Sequence, residues 1–98
     1  MAAGIEARVE AARLRRFVAG LFEDVGCSAL HAADIAACLV QSNLWGIDSH
    51  GVIRVPEYLE RLRRGAMNAR PAIRALHTAP GFGVLDADNA AGFIAGRA

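Results

Sequence analysis

Between Leu14 and Val25 the apolar residues Leu14, Phe17, Val18, Leu21, Phe22 and Val25 recur at the spacing of one helix face. The i, i+3, i+4, i+7 pattern places them in one stripe, with Glu6, Arg8, Glu10, Arg13 and Arg16 mostly on the other side. This predicts a helix from about Ile5 to Val25, after a short frayed start over Met1 to Gly4, closed by Gly26 as a left-handed cap. Such a stripe needs a partner, and the next residues supply one. Ser28 reads as the N-cap of a second helix, about Ala29 to Leu44, with Ala32, Ile35, Ala36 and Leu39 as its core stripe and Asn43 at the stripe's end. Trp45, Gly46 and Ile47 end it. Helices joined by so few residues pack antiparallel or at a steep angle.

A third helix is expected to start within Asp48 to Arg54 and to run to about Arg64, since Pro56 suits a first helical turn. Tyr58, Leu59 and Leu62 form its expected stripe and Gly65 its cap. Met67 to Pro71 reads as a loop. Ala72 to Thr78 and Phe82 to Asp86 read as strands around the turn Ala79-Pro80-Gly81. Asp88 or Asn89 is then expected to cap a fourth helix from Ala90. The fold class is α/β: a helical amino-terminal subdomain of three helices over residues 1–70, then the first strands of a larger sheet domain over 71–98. With 98 residues the chain is one domain at most. The fourth helix reaches Ala98 without a cap and the strands complete no sheet, so the expectation is an incomplete part of a larger protein.

Charge and cysteine usage narrow the function classes. All 11 basic residues are arginine and the net charge is +1, which gives no global field for nucleic acid or membrane. The hydrophobic fraction, 54%, marks a globular and not a disordered chain. Cys27 and Cys38 form no metal-spaced set and read as reduced structural thiols on or beside buried helix faces. No basic start precedes an apolar core, and the longest uncharged stretch, Ile35 to Ile47, is too short to span a bilayer. A cytoplasmic protein is expected.

Asp48 to Arg54 is the densest run of chemically capable residues. Histidine is the side chain that changes charge nearest neutrality. His50, between Ser49 and Gly51 near a helix start, is a candidate acid/base group, with Ser49 placed to orient it or relay its proton. Arg54, one turn on, offers a planar fork suited to a carboxylate. Together they meet the needs of a 2-hydroxy or 2-oxo acid site, where one group holds the carboxylate and another exchanges a proton with the oxygen on C2. The alternative is structural: Asp48 or Ser49 caps the third helix, and Arg54 pairs with Glu57 or Glu60.

The remaining candidates carry less. His31 reads as a solvated or capping residue, and His77 has no metal-spaced partner. A metal site needs three or four ligands, so none is assigned. Trp45 reads as a packing residue. Arg61, Arg63, Arg64, Arg70 and Arg74 make a basic run, read as a solvated helix end. An alternative function class uses it: a non-enzymatic helical module that binds a polyanion or a protein partner through Arg61 to Arg74.

The stretch from Asp34 to Gly65, and above all G-I-D-S-H-G-V-I-R-V-P-E-Y from Gly46 to Tyr58, resembles the malate/L-lactate dehydrogenase family. Asp86-Ala-Asp-Asn-Ala-Ala-Gly92 resembles a further family element, a D-x-D-x-x-x-G turn into a helix. The resemblance implies a non-Rossmann oxidoreductase that moves a hydride between NAD or NADP and a small 2-hydroxy or 2-oxo acid. It implies His50 as proton donor and acceptor, also able to touch the cofactor, with Ser49 in its relay and Arg54 on the substrate carboxylate. It further implies a homodimer at full length, no nucleic-acid or membrane partner, and no activity for this stretch alone. Gly81-Phe-Gly83 is only a glycine pair, and no residue is assigned to dinucleotide phosphates.

Overall fold

The computed structural model describes residues 8–96. The frayed start at Met1 to Gly4 and the Ile5 start of the first helix lie outside them. Four helices and one hairpin follow in the order α1 (Ala11–Asp24), α2 (Ala29–Leu44), α3 (Val55–Arg63), β1 (Arg74–Ala79), β2 (Phe82–Asp86) and α4 (Gly92–Ala95). Two 3-10 turns, Asp48–His50 and Val52–Arg54, lead into α3. The α/β class is as expected: helices, then an antiparallel two-stranded sheet.

The α1 helix begins later than the apolar spacing predicts. Glu10 is extended, with φ −60° and ψ 131°. Extending the helix to Val9 would place that side chain opposite the Val18 and Phe22 stripe, so no burial rewards the extra turn. Val18 and Phe22 are buried, Leu14, Leu21 and Val25 half-buried, and Phe17, at the stripe's edge, is exposed. The α2 helix has its expected bounds. Ser28 Oγ accepts a hydrogen bond from the His31 backbone N–H at 3.1 Å, the N-cap expected of it. Ala32, Ile35, Ala36 and Leu39 are all buried, joined by Val40.

All three longer helices end in the same double hydrogen bond. In α2 the Gly46 N–H donates to the Asn43 carbonyl at 3.0 Å and the Ile47 N–H to the Ser42 carbonyl at 2.8 Å. Gly46 has φ +77°, which a Cβ would strain. This cap turns the chain out of α2 into the run of special residues at Asp48. Gly26 and Gly65 close α1 and α3 in the same way.

One core joins the elements: Val18 and Phe22 of α1, Cys27, the α2 stripe, Val55, Leu59 and Leu62 of α3, and Ala91 and Ile94 around α4. Burial pushes the Cys27 thiol above its ordinary range, and the positive charge of Arg70 works against this. Tyr58, expected in the α3 stripe, is half-buried and meets Phe93 edge-on at 6.1 Å. Cys38 is half-buried and free.

Strand β1 runs two residues later at its start, and one at its end, than the expected Ala72 to Thr78. Ala72 is held instead by a hydrogen bond from its N–H to Asp88 Oδ2 at 2.9 Å. The register pairs Arg74 with Asp86 and Ala79 with Phe82, with an irregularity between Ala75 and His77. The expected capping of a fourth helix by Asp88 or Asn89 does not occur. Both have left-handed backbones, φ 53° and 57°, and α4 starts only at Gly92 with no side-chain cap. Their side chains face back to the loop after α3. Asn68 Nδ2 donates to Asp88 Oδ2 at 3.0 Å, and Asn89 Nδ2 donates to the Ala66 carbonyl at 2.8 Å. Among the described residues no helix is long and apolar enough to cross a membrane.

Candidate functional site

The third helix does not start within Asp48 to Arg54. The chain makes two 3-10 turns there, interrupted at Gly51, and α3 begins at Val55 with Pro56 in its first turn. Neither Asp48 nor Ser49 caps α3, whose N-cap residue is Arg54 and has no side-chain cap bond. The interruption has a local cause. A Cβ on the buried Gly51 would collide with the side-chain amide of Asn43, so the backbone closes over α2 only where there is no side chain.

Within this short segment the three candidate side chains form one connected set. Ser49 Oγ lies 2.9 Å from His50 Nδ1. Arg54 Nε donates to the Ser49 carbonyl at 2.8 Å, so the backbone of one candidate anchors the guanidinium of another. Ser49, His50 and Arg54 are all exposed. A hydroxyl both donates and accepts, so Ser49 can partner Nδ1 in either tautomer and leaves Nε2 for a reacting oxygen.

Arg54 also donates from Nη1 to Glu57 Oε2 at 3.2 Å, the pairing the structural alternative anticipates. Both side chains are more than two-fifths exposed, and a pair of this kind contributes about 0–1 kcal/mol. Nη2 of Arg54 donates to nothing among the described residues. Arg54 stands at the positive end of α3, where an anion is favoured, and Glu57 in the first turn serves that need.

Asn43, at the end of the α2 stripe, belongs to this set and not to the apolar core. Its Nδ2 donates to Asp48 Oδ1 at 2.9 Å, and its Oδ1 accepts from the Val52 backbone N–H at 2.9 Å. The signal was available in sequence: a polar residue continuing the Ile35, Leu39 spacing needs partners for its amide when it turns inward.

Trp45, expected to pack, is 73% exposed, because it falls at the α2 C-cap, outside the buried stripe. Leu44 and Ile47, near it in sequence, are exposed, as is Ile53 further on. His31 is half-buried. His77 lies in β1 against the Phe82 ring, with centroids 5.5 Å apart. The basic run is divided among local partners: Arg61 with Glu57 at 2.7 Å, Arg64 with Glu60 at 3.9 Å, Arg74 with Asp86 at 3.7 Å, and Arg70 Nε with the Gly26 carbonyl at 2.8 Å. Among the described residues no group of three or more His, Cys, Asp or Glu is placed to hold a metal ion.

Residues 9–98 match the family described as malate/L-lactate dehydrogenase. Ureidoglycolate dehydrogenase (NAD(+)) of Escherichia coli K12 is 45% identical over 67 residues, 68% of this chain and 19% of that protein. Malate dehydrogenase of Pyrococcus horikoshii is 32% identical over 89 residues, 91% of this chain and 25% of that protein. The solved structure of malate dehydrogenase from Pyrococcus horikoshii OT3 superposes with a TM-score of 0.89 at 31% identity, over 93% of this chain and 26% of that one. The chain therefore spans about a fifth to a quarter of the length of the relatives it matches.

Proposed function

Because this chain belongs to the malate/L-lactate dehydrogenase family, we propose that it carries the proton-transfer and carboxylate-binding groups of an enzyme that interconverts a small 2-hydroxy acid and its 2-oxo acid with NAD or NADP. One observation supports this above the others: Ser49 Oγ sits 2.9 Å from His50 Nδ1 while Arg54 Nε holds the Ser49 carbonyl at 2.8 Å. Proton donor, its hydroxyl partner and a carboxylate-binding fork are thereby coupled within six residues. The names malate, L-sulfolactate and hydroxycarboxylate dehydrogenase among its relatives point to the same substrate class, and that of ureidoglycolate dehydrogenase (NAD(+)) to a nicotinamide cofactor.

In the reductive direction the His50 imidazolium gives a proton from Nε2 to the oxygen on C2 and is left neutral, its Nδ1–H donating to Ser49 Oγ. In the oxidative direction the neutral ring takes the alcohol proton at Nε2. Arg54 meets the substrate carboxylate through Nη2 and the end of its fork. The carboxylate displaces Glu57 from Nη1, a weak exposed single contact giving way to a two-pronged pair with the guanidinium fork.

No described residue is assigned to dinucleotide phosphates. Gly81, with φ +89°, makes the hairpin turn, and Gly83 pairs with Thr78 in the β1–β2 ladder. The roles proposed for these residues are proton exchange and carboxylate binding, with His50 also able to touch the cofactor. On family grounds the proposed enzyme is a homodimer; from its sequence it is read as cytoplasmic, with residues 1–70 as its helical subdomain and residue 71 onward the start of its sheet domain.

Arg54 provides the test, made in the enzyme at the full length of its relatives. Each charge-assisted hydrogen bond contributes on the order of 1.5–3 kcal/mol. Arg54→Met is therefore expected to lower kcat/KM for 2-oxo acids by roughly 10²-fold or more. Arg54→Lys should recover only part, since an ammonium restores charge without the planar fork. Amide analogues of the same substrates should lose far less. Equal losses for acid and amide would show Arg54 to be a structural partner of Glu57 and remove the carboxylate assignment.

A further inference from the structure

Building on the roles proposed for His50 and Arg54, we infer that Asn43 is the positioning residue that sets these two groups relative to each other. The two 3-10 turns that carry them are three residues each, divided from one another by Gly51, and the second runs straight into α3 at Val55. A 3-10 turn of this length makes few bonds of its own, with poorer geometry than those of an α-helix. Asn43 does not share that weakness. It lies in the last turn of α2, just beyond the fully buried Leu39 and Val40.

From that fixed base one amide reaches both turns. Nδ2 holds Asp48, the first residue of the first turn, and Oδ1 holds the N–H of Val52, the first residue of the second, each at 2.9 Å. The task needs a donor and an acceptor on one planar group. Aspartate would lack the donor and set a second negative charge against Asp48, and leucine, of similar shape, would lack both. Gly51 closes the arrangement, since a Cβ there would overlap the Asn43 amide.

The consequence reaches both candidate groups. Asp48 opens the turn that contains Ser49 and His50, and the Ser49 carbonyl accepts from Arg54 Nε at 2.8 Å. A rotation of the first turn therefore swings the imidazole and drags the guanidinium with it. Asn43 itself meets no substrate in this scheme. It acts through His50 and Arg54, so its loss should lower kcat and raise KM together.

The experiment compares Asn43→Asp, Asp48→Asn and the double variant in the full-length enzyme, reading kcat, KM and Tm with a 2-oxo acid. Asn43→Asp is expected to lose about 10²-fold in kcat/KM, the scale of a misplacement of about 1 Å in a catalytic site. The double variant presents a carboxylate at position 43 and an amide at 48. Both hydrogen bonds can then form again, and activity should return to within about threefold of wild type. A double variant as impaired as Asn43→Asp, or an Asn43→Asp enzyme with unchanged kcat and KM, overturns the inference. A wild type that turns over no 2-oxo acid defeats the proposed function instead. In that event amide exchange at Val52 decides the positioning role by itself. Asn43→Leu should speed it by about tenfold, the equivalent of one lost hydrogen bond, and an unchanged rate overturns the inference.

Discussion

The helical body and the Asp48 to Arg54 segment are adjacent in sequence and opposite in construction. In the body, Phe22, Leu39 and Ala36 are fully buried and apolar contact between α1 and α2 dominates. In the segment, every residue from Asp48 to Arg54 except Gly51 and Val52 is exposed, and the conformation rests on hydrogen bonds from Asn43 and Arg54. Burial is non-directional and tolerant of small shifts, whereas hydrogen bonds fix angles. Stability and the proposed chemistry thus rest on different residues, and substitutions should separate them.

The largest separation is expected at His50. His50→Asn in the full-length enzyme should lower kcat by roughly 10²–10⁴-fold, the range of general acid/base assistance. Its unfolding free energy should stay within about 0.5 kcal/mol of wild type, as for other exposed positions. Steady-state kinetics beside urea unfolding measures both. A kcat within a few-fold of wild type would place the acid/base role on another residue. The reverse pattern is expected at Phe22, where Phe22→Ala should cost about 3–5 kcal/mol of stability through lost burial and a cavity. Assayed well below its lowered Tm, the variant should keep KM near wild type. A large rise in KM there would mean that the segment depends on core packing after all. The smallest effect concerns the N-cap at the α1–α2 junction. Ser28→Ala removes the acceptor of the His31 N–H and should cost about 1 kcal/mol, visible as a shift in urea midpoint with unchanged kcat.

Features that depend on residues near one another along the chain are legible in the amino-acid sequence. The α2 bounds, its Ser28 cap, the glycine ends of three helices and the Pro80–Gly81 hairpin all follow from backbone preferences and periodicity within one element. Ser49, His50 and Arg54 could be singled out because their side-chain chemistry and family motif are local properties. The misplaced features have another character. Phe17 and Trp45 have the residue types of a core but are exposed, because burial depends on which element lies opposite. Asp88 and Asn89 have the residue types of helix caps, yet they turn back to Asn68 and Ala66, about twenty positions away.

The amino-acid sequence by itself determined which segments become helices, the glycine ends of three of them, the hairpin and the chemical types available at Asp48 to Arg54, since each is a matter of φ/ψ preference or side-chain chemistry within a few residues. Only the tertiary structure decided the start of α3 at Val55 and the grip of Asn43 on both turns. Those outcomes turn on which groups meet in space. The Asn43 amide and the Gly51 backbone come into contact only once α2 is packed and its glycine cap has folded the chain back across it.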